Sequence, residues 1–221
     1  VEAFLILPIL LFSVVVHEVA HGWMALRLGD STAKEMGRLT LNPIPHIDLF
    51  GSILVPLFSY LAAGTVFIAW AKPVPVNPMN FKNSRRDDIL VSAVGPFSNL
   101  LVALGCALLV GIWSGMIGPV DRSMVGLEGS FLTLLPQMLL IGITLNIYLA
   151  VFNLIPVPPL DGSHIVASLL PSEVGEQYRR IGFLGIFAII LLMRVDFFRS
   201  FVISIVKAMH IPYALVIQLF T

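Results

Sequence analysis

Residues 89–120 contain no charged side chain, and neither do residues 131–155. Wound as a helix at ~1.5 Å per residue, each run exceeds the ~30 Å hydrocarbon core of a bilayer. In hydrocarbon no water is present to satisfy backbone N–H and C=O groups, so runs of this kind fold as helices that bond internally. The rest of the composition agrees. Hydrophobic residues make up 57% of the 221 and charged residues 12%, about half the charged fraction of a soluble domain. Mean hydropathy is +0.95. The formal net charge is zero, which offers nothing to a nucleic acid, and the single cysteine, Cys106, excludes an intrachain disulfide and a cysteine-based zinc site.

The expected fold is an all-α polytopic membrane protein with about five to six transmembrane helices, a re-entrant segment and short β-strands in cytoplasmic-side loops. The apolar segments are 3–28, 49–71, 89–120, 131–155, 181–193 and 197–219, with a short helix at about 163–170. Polar connections carry the turn residues: Gly29-Asp30-Ser31, Gly37, Asn42-Pro43 and the proline-rich Lys72-Pro73-Val74-Pro75-Val76-Asn77-Pro78. A strand is expected around 37–41, and the 72–77 segment reads as an extended edge. Arg27, Lys34 and Arg38 precede segment 49–71, and Lys72, Lys82, Arg85 and Arg86 follow it. The positive-inside rule puts both flanks in the cytoplasm, which makes 49–71 re-entrant. The N-terminal stretch lacks the basic n-region of a signal peptide and runs on into the motif described next. No internal repeat is evident, so residues 1–221 are taken as one domain, with a core over about 1–170 and further C-terminal helices over about 179–219.

Inside the first apolar segment stands His17-Glu18-Val19-Ala20-His21. On a helix the two histidines lie one turn apart on one face, within reach of a single metal ion, and Glu18 projects beside them. A carboxylate there can take a proton from a metal-activated water. The bland alternative is a pair of core histidines bonded to helix carbonyls with Glu18 salt-bridged nearby. In an apolar span it is disfavoured, because three ionisable groups within five residues need a shared compensating partner. A hydrolytic zinc site also needs a third protein ligand and an open fourth position. Asp161, His46, His164, His210 and Asp48 are the candidates. Asp161 stands out because it follows a proline-rich break at the end of an uncharged helix, where backbone is freed at membrane depth.

Three separated motifs carry a resemblance: His17-Glu18-x-x-His21, Gly95-Pro96-Phe97-Ser98-Asn99, and Asn153-Leu154-Ile155-Pro156-Val157-Pro158-Pro159-Leu160-Asp161-Gly162. In content and order the chain resembles the site-2 protease family of intramembrane zinc metalloproteases over most of residues 1–170. It looks like the compact branch, with no segment left for a PDZ or CBS domain. The resemblance implies one Zn2+ per chain bound by His17, His21 and Asp161, with Glu18 as general base. By the same resemblance Asn153 holds the substrate backbone near the metal. Asn99 is a second neutral amide donor for an oxyanion, and either asparagine can instead be interhelical glue. His164, one turn beyond Asp161, can orient that carboxylate, and His46 can approach the site if 49–71 re-enters. The implied partners are single-pass transmembrane substrates in a lipid bilayer. The implied location is a prokaryotic inner membrane, with the active site toward the cytoplasm. The competing readings are a catalytically silent client-binding relative and a proton or metal pathway. The latter predicts inverted repeats and paired broken helices, which are not evident.

Overall fold

The computed structural model describes residues 2–55, 58, 61, 70–118 and 131–220. The chain opens with helix α1 (Glu2–Arg27). Gly29, at φ +112°, ends that helix in a Schellman turn, with the Asp30 N–H donating to Ala25 O at 2.9 Å. A short turn, α2 (Thr32–Glu35), follows. After the 3₁₀ turn Ile44–His46 and the π-helical turn Leu49–Leu54, the chain is described again from Trp70. Helix α3 (Ser84–Ile117) has 34 residues and is about 50 Å long at ~1.5 Å per residue. Helix α4 (Phe131–Asn153) leads into the proline-rich break and then α5 (Asp161–Leu169), α6 (Ser172–Arg179), α7 (Gly185–Arg194) and α8 (Asp196–Gln218).

The core sits among α3, α4 and α8: Ala103, Cys106, Ala107 and Val110 meet Ile143, Ile147 and Val151, with Val202 and Val206 closing the third side. Small residues on α3 bring the helix axes close, which replaces the hydrophobic driving force that lipid removes. Helix α1 packs on α3 and α4, and α5 packs on α3. Four helices are long and apolar enough to cross a membrane: Ile6–Arg27, Ser84–Ile117, Leu134–Asn153 and Asp196–Gln218. The chain is an integral membrane protein by this measure.

Two sequence expectations need correction. Among the described residues four such helices stand where five to six spans are expected, and most of segment 49–71 is not among those residues. The apolar segment 181–193 becomes the 3₁₀ turn Gly182–Leu184 and the ten-residue α7, which at ~15 Å covers half a bilayer core. The expected re-entrant path of 49–71 lies largely outside the described residues. No strand forms among the described residues. At 37–41 the glycine is a helix C-cap: Gly37 lies at φ +64° and the Arg38 N–H donates to Ala33 O at 2.8 Å. The 72–77 segment is held by side chains in place of a partner strand. Arg38, itself buried, donates to Lys72 O at 2.7 Å and Pro73 O at 3.3 Å, while Asp30 accepts the Asn77 N–H at 2.7 Å.

Asp30 is the hub of this polar cap. Fully buried, it also accepts the Thr32 N–H and hydroxyl and the Asn80 amide. Burial pushes its carboxyl up, but the bonds from Thr32, Asn77 and Asn80 outweigh that and hold it below the usual carboxylate range. Because the folded value is the lower one, its stabilisation is fully present above the unfolded pKa of ~3.9 and is lost as pH falls through the folded value. Asp30→Ala should cost about 2–3 kcal/mol at pH 7 by thermal unfolding in detergent, with a shallower loss of stability than wild type below pH 4.

Candidate active site

One turn of α1 sets His17 and His21 side by side, 8% and 9% exposed, with ring centroids 4.6 Å apart. The prolines at 156, 158 and 159 end helical bonding after α4, and the chain folds back so tightly that a Cβ on Gly162 would lie 2.3 Å from Leu154 O. This return delivers Asp161, the first residue of α5, to the histidines. His17 Nε2 lies 3.2 Å from Asp161 Oδ2, His21 Nε2 lies 3.4 Å from Oδ1, and the two Nε2 atoms are 3.0 Å apart.

The other ring nitrogens decide what this cluster is for. His17 Nδ1 donates to Asn99 Oδ1 at 2.7 Å, and His21 Nδ1 donates to Val91 O at 2.6 Å. Each neutral ring therefore carries its proton on Nδ1 and turns the Nε2 lone pair toward its neighbour and a carboxylate. Asp161 Oδ2 is buried with no hydrogen-bond partner among the described residues. Three groups that can each offer a lone pair converge here, a donor set suited to a cation. A tetrahedral zinc site with Zn–N and Zn–O near 2.0–2.1 Å has ligand–ligand edges of ~3.3 Å, close to the separation of the two Nε2 atoms and to the approach of each to one oxygen of the carboxylate. His17, His21 and Asp161 fit Zn2+, and they form a candidate metal cluster among the described residues. Helix α3 accommodates the rings only because residue 95 is glycine: an added Cβ would lie 2.3 Å from His21 Nε2 and 2.7 Å from His17 Cε1.

A cavity of about 590 Å³ opens onto this cluster. Glu18, half-buried, lines it and accepts the Val74 N–H through Oε2 at 2.7 Å, so the 71–77 segment forms one wall. Gly22 permits the approach, since a Cβ there would lie 2.8 Å from Val74. Asn153 also lines the cavity, with Nδ2 donating to Leu149 O at 3.0 Å. Asn99 is fully buried behind His17. His164 faces the cavity near Asp88 and Arg179, and its burial holds the imidazole below its usual range. His46 is not brought to the site. It is buried, bonds Thr40 O through Nε2 at 2.9 Å, and braces the cavity wall through its own carbonyl, which accepts the Lys72 N–H at 2.9 Å.

Two groups near the site have no functional assignment from the sequence, which reads Asn146 as structural. Asp88 pairs with Arg179 at 2.7 Å and accepts the Ser168 hydroxyl, tying α3 to α5 and α6 beside the cavity. Its signal was helical spacing: positions 88, 91, 92, 95 and 99 share the α3 face turned to the site. Ser13 and Asn146 lie behind Asn99, and both are fully buried polar residues in apolar helices.

The model of peptidase family M50 matches residues 4–193. The chain belongs to peptidase family M50. This is the site-2 protease family, and the match runs past the residue 170 at which the motifs end. The chain is 43% identical over 185 residues to "Putative zinc metalloprotease YwhC" of Bacillus subtilis (strain 168), covering 80% of this chain and 77% of that one. It is 31% identical to "Putative zinc metalloprotease Rip2" of Mycolicibacterium smegmatis, over 69% of this chain and 52% of that protein. The protein of the same name from Mycobacterium tuberculosis (strain H37Rv) is 30% identical, with 83% and 62% covered. The chain thus spans between half and two thirds of the Rip2 proteins. No solved structure matches it. As an M50 member it is a metalloendopeptidase whose cofactor is Zn2+, with His17, His21 and Asp161 as the candidate site. Gly95→Ala should lower bound zinc from roughly one ion per chain to near zero by elemental analysis, because the added methyl displaces both rings. Helix content by circular dichroism should be unchanged.

Proposed function

We propose that this M50 chain is an intramembrane zinc endopeptidase that hydrolyses peptide bonds within transmembrane segments of single-pass proteins, with Glu18 as general base. The observation that carries the reading is the placement of His17, Glu18 and His21 in an apolar helix long enough to span, beside Asp161 and an open cavity. When bound, Zn2+ supplies Lewis acidity, lowering the pKa of water toward 7 and polarising a scissile carbonyl. Glu18 is adjacent in sequence to a ligand and lines the same cavity; with Asp161 on the metal and Asp88 paired to Arg179, it is the carboxylate among the described lining residues that can accept water's proton and return it to the leaving amine. Asn153 keeps one amide hydrogen for a substrate carbonyl while the other holds Leu149 O.

A substrate helix has its carbonyls occupied and must unwind to be cut. The 71–77 segment offers an extended surface for it. Pro73 and Pro75 have no N–H, so between Lys72 and Asn77 the amide donors are those of Val74 and Val76, and the Val74 N–H meets Glu18. A substrate strand pairing there displaces Glu18 from the Val74 N–H and meets the base at the same moment.

The surroundings support a re-entrant 49–71 and a cytoplasmic active site. The Trp70 N–H donates to Gly51 O at 3.0 Å and the Lys72 N–H to His46 O at 2.9 Å, so the chain leaves and returns at one place. Arg27, Lys34, Lys72, Lys82, Arg85 and Arg86 all belong to that polar side, as the positive-inside rule requires of a cytoplasmic face in a prokaryotic inner membrane. Residues 1–221 are read as one protease domain.

Glu18→Gln should keep zinc and lose about 10²–10⁴-fold in cleavage of single-pass substrates in detergent or liposomes. Cleavage by Glu18→Gln at the wild-type rate refutes the assignment of the base. Val74→Pro and Val76→Pro should abolish cleavage with zinc retained. Undiminished turnover in both rules out strand pairing.

A further inference from the structure

Behind the metal cluster a chain of hydrogen bonds runs through the membrane bundle in one direction. His17 Nδ1–H donates to Asn99 Oδ1 at 2.7 Å. Asn99 Nδ2 donates to Asn146 Oδ1 at 2.9 Å, and Asn146 Nδ2 donates to Ser13 Oγ at 2.8 Å. The Ser13 hydroxyl donates to Ile9 O at 2.7 Å. Two side bonds end on further main-chain carbonyls: Asn99 Nδ2 to Ser13 O at 3.3 Å and Asn146 Nδ2 to Gly142 O at 2.9 Å. Ser13, Asn99 and Asn146 are each 0% exposed.

The direction follows from the ends. Ile9 O, Ser13 O and Gly142 O accept only, so Ser13 must donate away from Asn146, and both asparagine NH₂ groups must point away from His17. Reversing Asn99 would set its NH₂ against the His17 N–H and its oxygen against two acceptors. The single other way to satisfy a reversed amide is to move the His17 proton to Nε2, the atom aimed at Asp161. An interhelical bond serving as glue has no such polarity requirement.

We infer that Asn146 and Ser13 are positioning residues for the metal site, holding Asn99 in the orientation that keeps His17 protonated on Nδ1 and free to ligate through Nε2. They touch neither the metal-facing atoms nor the cavity. This inference rests on His17 being a zinc ligand. It adds that the ligand's protonation is set two and three side chains away, by Asn146 on α4 and by Ser13 on α1 itself, one turn before His17.

The test measures zinc affinity of the purified full chain by competition with a chromophoric chelator, together with the Co2+ absorption spectrum and the thermal midpoint of the metal-free form. Outer partners of metal-bound histidines typically change affinity about 10–100-fold. Asn146→Leu and Ser13→Ala should each weaken zinc by about 10-fold and alter the Co2+ bands. Ser13→Thr, which keeps the hydroxyl, should restore wild-type affinity. In an Asn99→Ala background Asn146→Leu should have no further effect on affinity, because its route to His17 is already cut. Affinity within 2-fold of wild type for Asn146→Leu overturns the inference. So does an effect of the same size with and without Asn99, which is what lost packing produces. If Asn146→Leu fails to fold, Ser13→Ala against Ser13→Thr decides alone: equal affinities overturn it. A wild-type chain that binds no zinc instead removes the metal-site reading beneath it.

Discussion

Both histidines of α1 donate through Nδ1 to α3, and the site is built around that pair of bonds. They join the first two long helices, choose the tautomer of each ring, and leave two lone pairs facing each other at the floor of the cavity. An unsatisfied polar group in such a place costs several kcal/mol. Every neighbouring feature follows from accommodating the two rings: glycine at 95, where no Cβ fits, the Val91 carbonyl that receives the second proton, and a carboxylate brought from α5 to complete the donor set.

Much of this was legible in the chain because membrane folding has few solutions. Charge-free runs give Ser84–Ile117 and Phe131–Asn153 directly, since hydrocarbon leaves a backbone only its own hydrogen bonds. His17, His21 and Asp161 were legible for the opposite reason, as ionisable groups where such groups are expensive. Asn146 was hidden because one asparagine in an apolar helix has no spacing to read. Its importance depends on where α4 meets α1 and α3. Asp88 was masked by the charged stretch Lys82–Asp88, of which only part turns inward. The strand near 37–41 failed for a local reason: a lone glycine between polar residues fits a helix C-cap as well as a strand, and the Arg38 N–H settles the matter by reaching back to Ala33.

Three polar side chains connect the buried cluster to the loops outside it. Glu18 holds Val74, Arg38 holds Lys72 and Pro73, and Asp30 holds Asn77 and Asn80. Two of these anchors, Glu18 and Asp30, stand on α1 or at its end, so the cavity wall is referenced to the helix that carries the histidines. The wall and the candidate metal cluster are set by one rigid element, which holds an irregular segment at a fixed distance from Glu18.

The prolines of that wall have a consequence beyond catalysis. An extended segment with free amides on both sides is a template on which sheets grow from chain to chain. Here Pro73 and Pro75 carry no N–H, and the amides of Lys72, Val74 and Asn77 are already taken by the His46 carbonyl, Glu18 and Asp30. Such a segment offers a neighbouring edge too few free donors to propagate a sheet. A membrane protein can therefore leave an irregular, extended wall open beside its cavity without that wall becoming a template for aggregation between copies.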